Sequence, residues 1–213
     1  MKEKVIMKLY YSPGVCSLSP HIVAHEIGLP LKIEKVDTKT KQTETGRDYL
    51  AINPKGYVPA LELDSGEVLT EGPAIVQYLA DQKPESGIAP PNGTLARSRL
   101  QEMLGYINSE IHKTYSPFFK PDTPKETLAE REAYLRKRYQ FVENILAKQN
   151  WLLGDKFSAA DAYLFVVTRW AAAIKFDLSE FPALQAFQKR VHERPAVQAA
   201  MAEEGLIKHQ AAA

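Results

Sequence analysis

The chain has a single cysteine, Cys16, among its 213 residues. That scarcity excludes an intramolecular disulfide and a Cys-x-x-Cys redox pair, so any thiol chemistry must draw on an external thiol. It also has almost no net charge, with 27 Lys and Arg against 26 Asp and Glu. No long-range field is available to hold nucleic acid or an anionic membrane, and neither is expected as a partner. No apolar run is long enough to span a bilayer, and the charges within Met1-Lys-Glu-Lys-Val-Ile-Met-Lys-Leu9 interrupt what a signal peptide needs as an apolar stretch. A cytoplasmic location is the expectation. There is no phosphate-cradling Gly-rich motif and no His-Glu-x-x-His. His21 and His25 stand at i, i+4 without a neighbouring third ligand, so neither a nucleotide cofactor nor a metal is expected.

What is present is an ordinary globular balance, 45% hydrophobic and 25% charged, long enough to bury a core. The first 85 residues alternate short apolar runs with helical patterns. Val5–Tyr11 reads as a buried strand ended by Ser12-Pro13-Gly14, followed by a helix over Ser17–Ile27 and a strand over Leu31–Val36. A weakly patterned polar stretch runs to Ile52. Pro59–Leu63 and Glu67–Leu69 flank Asp64-Ser65-Gly66 as a hairpin, and a helix over Gly72–Gln82 closes the unit. Residues 84–94, rich in Pro and Gly, read as a linker.

Beyond the linker the pattern is helical. Leu100, Leu104, Ile107 and Ile111 recur at helical spacing; Leu135, Val142 and Ile145 mark a second helix, with Arg136-Lys137-Arg138 as its solvated face. Ser158 and Asp161 match a capping box ahead of a core helix. Leu184, Phe187 and Val191 mark a further helix, interrupted at Arg194-Pro195.

Three segments can carry chemistry. Cys16 lies between a strand end and a helix start, where free N–H groups and the helix dipole favour a thiolate. From position alone, a reactive cysteine and a small buried inert one both fit. Val58-Pro59 precedes a strand, where proline is tolerated and an extended peptide can dock; an ordinary loop proline fits as well. Glu71-Gly72 opens a helix whose free N–H groups suit a carboxylate while Glu71 suits an ammonium group. An acidic residue that merely complements the helix dipole is the plainer alternative.

Taken in order, Tyr11-x-Pro13-Gly14-x-Cys16-Ser17, Asn53-Pro54-Lys55-Gly56-x-Val58-Pro59-Ala60-Leu61, Leu69-Thr70-Glu71-Gly72 through Tyr78-Leu79-Ala80-Asp81, and Phe157-Ser158-x-Ala160-Asp161-Ala162-Tyr163 resemble the bacterial beta class of glutathione S-transferases over essentially the whole chain. The resemblance implies an α/β plus all-α fold. Residues 1-85 would form a thioredoxin-like glutathione-binding domain with a mixed four-stranded sheet. Residues 92-213 would form an all-helical domain supplying the electrophile-site wall.

It further implies a homodimer, a cis bond before Pro59, glutathione as co-substrate with no other cofactor, and a small hydrophobic electrophile as second substrate. By the same matching Cys16 meets the glutathione sulfur, Lys41 a carboxylate, Val58 with Pro59 the cysteinyl backbone, and Glu71 with Gly72 the γ-glutamyl end. Glu110 and His112 complete the site. Tyr11 and Ser17 are rival thiol-stabilising hydroxyls, and His112 a candidate for proton exchange with the bound thiol. Gly105 stands where members often carry Asn. Activities compatible with the resemblance are glutathione conjugation, thiol-disulfide chemistry at Cys16, and glutathione-dependent dehalogenation or isomerisation. A noncatalytic interaction protein of the same architecture is the alternative from another class.

Overall fold

The computed structural model describes residues 6–208, which divide into two compact units, residues 6–86 with 194–208, and Gly87–Glu193. In the first unit β1 (Lys8–Tyr11) leads through a turn into α1 (Leu18–Glu26) and then β2 (Lys32–Asp37). The predicted start of β1 at Val5 lies outside the described residues. Next come β3 (Gln42–Thr43), a single 3-10 turn at Tyr49–Ala51, the hairpin β4 (Ala60–Glu62) and β5 (Val68–Thr70), and α2 (Gly72–Asp81). The sheet order is β3-β2-β1-β4-β5, with β1 parallel to β2 and the other pairs antiparallel.

The sheet is mixed, as expected, but has five strands. The additional one, β3, is a two-residue edge strand in the stretch whose polar sequence gave no alternation to read. Strand alternation divides the core between the two faces of the sheet. Leu9 pairs with Leu61, and both are fully buried. Their neighbours Tyr10 and Ala60, also paired, join Val36, Tyr49 and Val58 in a cluster on the other face, backed by Val15, Ile52 and Val68.

The second unit contains α3 (Leu95–Tyr106), a π-helical stretch Ile107–His112, α4 (Lys113–Tyr115), α5 (Lys125–Leu146), α6 (Ala159–Ala173) and α7 (Pro182–His192). Leu100, Leu104, Ile107 and Ile111 are all buried, as their spacing predicts. The capping box at α6 is present. The Asp161 carboxylate accepts from the backbone N–H groups of Ser158 and Leu152, each at 2.8 Å, and from the Ser158 hydroxyl at 2.6 Å. Burial nonetheless pushes its carboxyl up to about 6, against the lowering effect of those bonds.

The expected boundary at the C-terminal end is corrected. The last helix, α8 (Pro195–Glu203), packs on α1 and belongs to the first unit, so the helical unit spans Gly87–Glu193 and not 92-213. Pro195 at the first helical position cannot prolong α7; it starts a new helix whose Val197, Ala200 and Met201 are buried. No helix among the described residues is long and apolar enough to cross a membrane.

Candidate functional site

In the first unit, Cys16, Val58 and Pro59 come together. The turn after β1 is tied by Ser17, whose hydroxyl donates to the Ser12 carbonyl at 3.1 Å and accepts from the Ser12 N–H at 3.2 Å. Ser17 is fully buried, so its hydroxyl works on the turn that presents Cys16. The Cys16 thiol donates to the Val58 carbonyl at 3.3 Å. Burial pushes this thiol up to about 12; the backbone N–H groups of Cys16 and Ser17 pull the other way, and the charges of Glu71 and Glu204 add to the rise. The expected thiolate-favouring effect of the helix start is therefore present but outweighed by desolvation. Tyr11 is also buried, and burial, followed by Glu44, Glu204 and Glu203, pushes its phenol up.

The loop that carries Val58 is fastened by two side chains whose role was not legible from their sequence positions. Tyr49 Oη and Asn53 Nδ2 both donate to the Tyr57 carbonyl, at 2.8 and 2.7 Å. The Val58-Pro59 bond is cis, as the family resemblance implies. A Cβ on Gly72 would stand 3.9 Å from the Pro59 ring, so the start of α2 lies against the same loop.

Among the described residues three non-glycine residues have positive φ, and two of them are predicted glutathione contacts: Lys41 at 60° and Glu71 at 71°, the third being Lys175. Side chains rarely adopt this region, and such strain gathers at ligand sites. Glu71 caps α2, its carbonyl accepting from Ala74 and Ile75, while its carboxylate holds Lys55 Nζ at 2.7 Å. Lys55 also donates to Thr70 Oγ1 at 2.9 Å. Lys41 Nζ donates to the Gly56 carbonyl at 2.8 Å and lies 5.9 Å from the centre of the Tyr57 ring. Gly56 has φ of 68°, and a Cβ there would meet Leu50 at 3.1 Å, so glycine lets Lys41 and Leu50 close over this turn.

In the helical unit, Glu110 and His112 lie on the π-helical stretch, where a wide turn breaks the regular ladder. Hydroxyls take carbonyls on either side of it, Ser109 that of Gly105 at 3.0 Å and Thr114 that of Glu110 at 2.7 Å. Glu110 accepts from the Tyr134 hydroxyl and pairs with Arg138 Nε at 3.0 Å. Arg138 is thus not simply on a solvated face; its guanidinium lies 4.2 Å from the Tyr134 ring centre. Arg136 likewise engages Glu180 and the Phe176 ring, and only Lys137 of the three is exposed.

His112 Nδ1 lies 2.6 Å from the Tyr163 hydroxyl, which donates to Asn108 Oδ1 at 2.9 Å. With the Tyr163 proton committed to Asn108, Nδ1 carries the ring hydrogen and Nε2 presents a lone pair. Burial, with a smaller contribution from Lys113, pulls His112 down to about 4, so the imidazole is neutral at pH 7. Its ring packs edge-on to Trp170, centroids 4.8 Å apart, and Trp170 in turn meets Tyr115 and Phe119. A separate cavity of about 740 Å³ in the same unit is lined by Leu95, Met103, Tyr106, Phe141, Ile145 and Leu152 among others, and by none of the predicted site residues.

One sequence observation acquires a partner. His21 and His25 do share a face of α1, and Glu203 and Glu204, 182 and 183 positions along the chain from His21, reach them from the end of α8. Only the packing of α8 on α1 brings these groups together; no local spacing in the sequence signals it.

Comparison with known proteins places the chain in a family. Residues 14–82 match the family model for the glutathione S-transferase N-terminal domain, and residues 106–195 the model for the C-terminal domain. Glutathione S-transferase GstA of Escherichia coli O157:H7 is 47% identical, over 94% of this chain and 100% of the relative. A sphingomonad glutathione S-transferase solved in complex with glutathione is 45% identical with a TM-score of 0.91, over 94% of this chain and 100% of that one. A bacterial beta-class glutathione S-transferase of Sphingomonas chungbukensis has 44% identity, the same TM-score of 0.91 and the same coverage, 94% and 100%. The chain belongs to the glutathione S-transferase family, with the bacterial beta class among its structural neighbours.

Proposed function

We propose that this protein is an enzyme that conjugates glutathione to small hydrophobic electrophiles. The observation that carries the reading is the Cys16 thiol set on the Val58 carbonyl at 3.3 Å, in a chain whose relatives include a glutathione-complexed transferase. The cysteinyl part of glutathione would lie along Val58 and Pro59, its γ-glutamyl end at Glu71 and Gly72, and a carboxylate at Lys41. Glu110 and His112 in the helical unit would complete the binding set.

Glutathione already carries the nucleophile. The protein has to hold it, favour its thiolate and admit an electrophile. The glutathione sulfur then bonds to the electrophilic carbon, the leaving group departs with the bonding electrons, and the thiol proton passes to solvent. Because Cys16 holds its own proton to about 12, its part is that of a hydrogen-bond donor to the bound sulfur, and it would form a mixed disulfide only with an oxidised glutathione species. Tyr11 is a second candidate donor; Ser17 is committed to Ser12. The aromatic group around Trp170, with His112, Tyr115 and Phe119, is the surface proposed for an apolar substrate.

We further propose that the protein works as a homodimer in the cytoplasm, where thiols are kept reduced. The half-exposed Phe141 and the exposed Leu95 on the rim of the helical unit's apolar cavity support the association. Calorimetric titration with reduced glutathione, combined with turnover of an activated aryl halide, tests the enzyme reading. Binding and turnover are expected together; absence of both overturns it, and retention on immobilised glutathione without turnover would favour a noncatalytic relative. A monomeric mass by light scattering would remove the dimer.

A further inference from the structure

Three side chains that the glutathione reading leaves unused meet at the packing of α8 on α1. His21, His25 and Glu203 each offer a ligand atom, and the three atoms lie within 4.8 Å of one another. Glu203 Oε2 stands 2.9 Å from His21 Nε2 and 3.3 Å from His25 Nε2. Ligands held at Zn²⁺ distances of 2.0–2.1 Å in a tetrahedron are separated by roughly 3.3–3.4 Å. Two edges of such a site are thus already formed to within a few tenths of an ångström.

The surroundings match what a metal-binding imidazole requires. His21 is buried, and its other nitrogen, Nδ1, faces Glu204 Oε1 at 3.1 Å. A carboxylate on one ring nitrogen fixes the tautomer and leaves the other nitrogen's lone pair for a cation. Glu204 is itself held in place, since its second oxygen accepts the Gly14 N–H at 2.9 Å. One ligand is anchored in the core, and the other two side chains, His25 at 27% and Glu203 at 42% exposure, reach solvent. An ion therefore has an entry path and room for water in the remaining positions.

We propose that His21, His25 and Glu203 form a binding site for one divalent transition cation of the zinc type, oriented by Glu204 and clipping α8 to α1. Two imidazoles and one carboxylate suit Zn²⁺, Co²⁺, Ni²⁺ or Cu²⁺, whereas Ca²⁺ and Mg²⁺ prefer all-oxygen sets. Through Glu204 the clip reaches Gly14, two residues before Cys16, so metal occupancy would also steady the turn that carries the thiol.

The competing account is a metal-free ionic cluster in which protonated histidines share the charge of Glu203. Titration of the chelator-treated full chain with ZnCl₂, in a Cys16→Ser background that removes the thiol as a ligand, separates the two. One ion per chain is expected, with micromolar or tighter affinity and a rise in Tm. His25→Ala and Glu203→Gln should each weaken binding at least tenfold and abolish the rise in Tm. Glu204→Gln should weaken it by about 10–100-fold, the usual effect of losing an orienting partner. In the chain with Cys16 retained, His25→Ala should leave turnover of the aryl halide unchanged without metal. Because His21 is buried, no part of the test depends on replacing it. Absence of Zn²⁺ binding overturns the proposal, as does binding that persists in the His25→Ala, Glu203→Gln double variant.

Discussion

The Cys16 thiol donates its proton to the Val58 carbonyl, a contact that joins the turn after β1 to the loop before β4. The protein thus holds its cysteine as a neutral thiol, pushed up to about 12 by burial. Alkylation needs the thiolate. At pH 8, iodoacetamide should modify Cys16 more than tenfold more slowly than free cysteine, with a rate still rising at pH 10. A rate equal to that of free cysteine would show that the thiol is neither buried nor bonded as described.

Glu71 combines backbone strain with a proposed role in holding glutathione. Its φ of 71° costs on the order of 1–3 kcal/mol for a side-chain-bearing residue, and glycine would relieve it. Glycine returns about 0.5–1 kcal/mol of that in chain entropy. Glu71→Gly should therefore leave Tm unchanged or higher, yet weaken glutathione binding roughly tenfold or more through loss of a charged contact. Lys55→Met, which removes an exposed ion pair, should change stability by less than about 0.5 kcal/mol and leave glutathione binding no weaker. Unchanged affinity in Glu71→Gly would remove this residue from the site.

His112 makes stability depend on pH. Its value in the fold is about 4, below the ordinary 6.5, so between these limits the unfolded chain takes up the proton more readily. The contribution is fully present above 6.5 and is lost as pH falls through 4, to the extent of on the order of 3 kcal/mol. Asp161 acts in the opposite sense. Raised from 3.8 to about 6, it contributes stability below 3.8 that is lost as pH rises through 6. Urea denaturation of the wild type and His112→Phe at pH 7 and pH 4.5 isolates the histidine: the variant should lose less stability on acidification, and equal losses would contradict a buried neutral imidazole.

Much of the first unit was legible because its signals are local. The buried apolar run ending at Tyr11 and the Asp64-Ser65-Gly66 hairpin each depend on residues within a few positions of one another, as does the Ser158/Asp161 cap in the second unit. The segments containing Cys16, Val58-Pro59 and Glu71-Gly72 could likewise be placed at strand or helix ends. The edge strand β3 was not legible, since two polar residues have no period. Nor was the π-helical stretch under His112, where Leu100, Leu104, Ile107 and Ile111 read as one regular helix.

By itself, the sequence determined the order of the main strands and helices, the absence of a disulfide within the chain, and a set of motifs specific enough to name a family. Tertiary structure decided the states and partners of the groups those motifs contain. Whether Cys16 is a thiol or a thiolate depends on how completely packing removes water from its sulfur, because desolvation here outweighs the nearby N–H groups. Whether two histidines one turn apart have a third ligand depends on where Pro195 sends the last helix. Glu203 lies next to His21 in space and 182 positions from it along the chain.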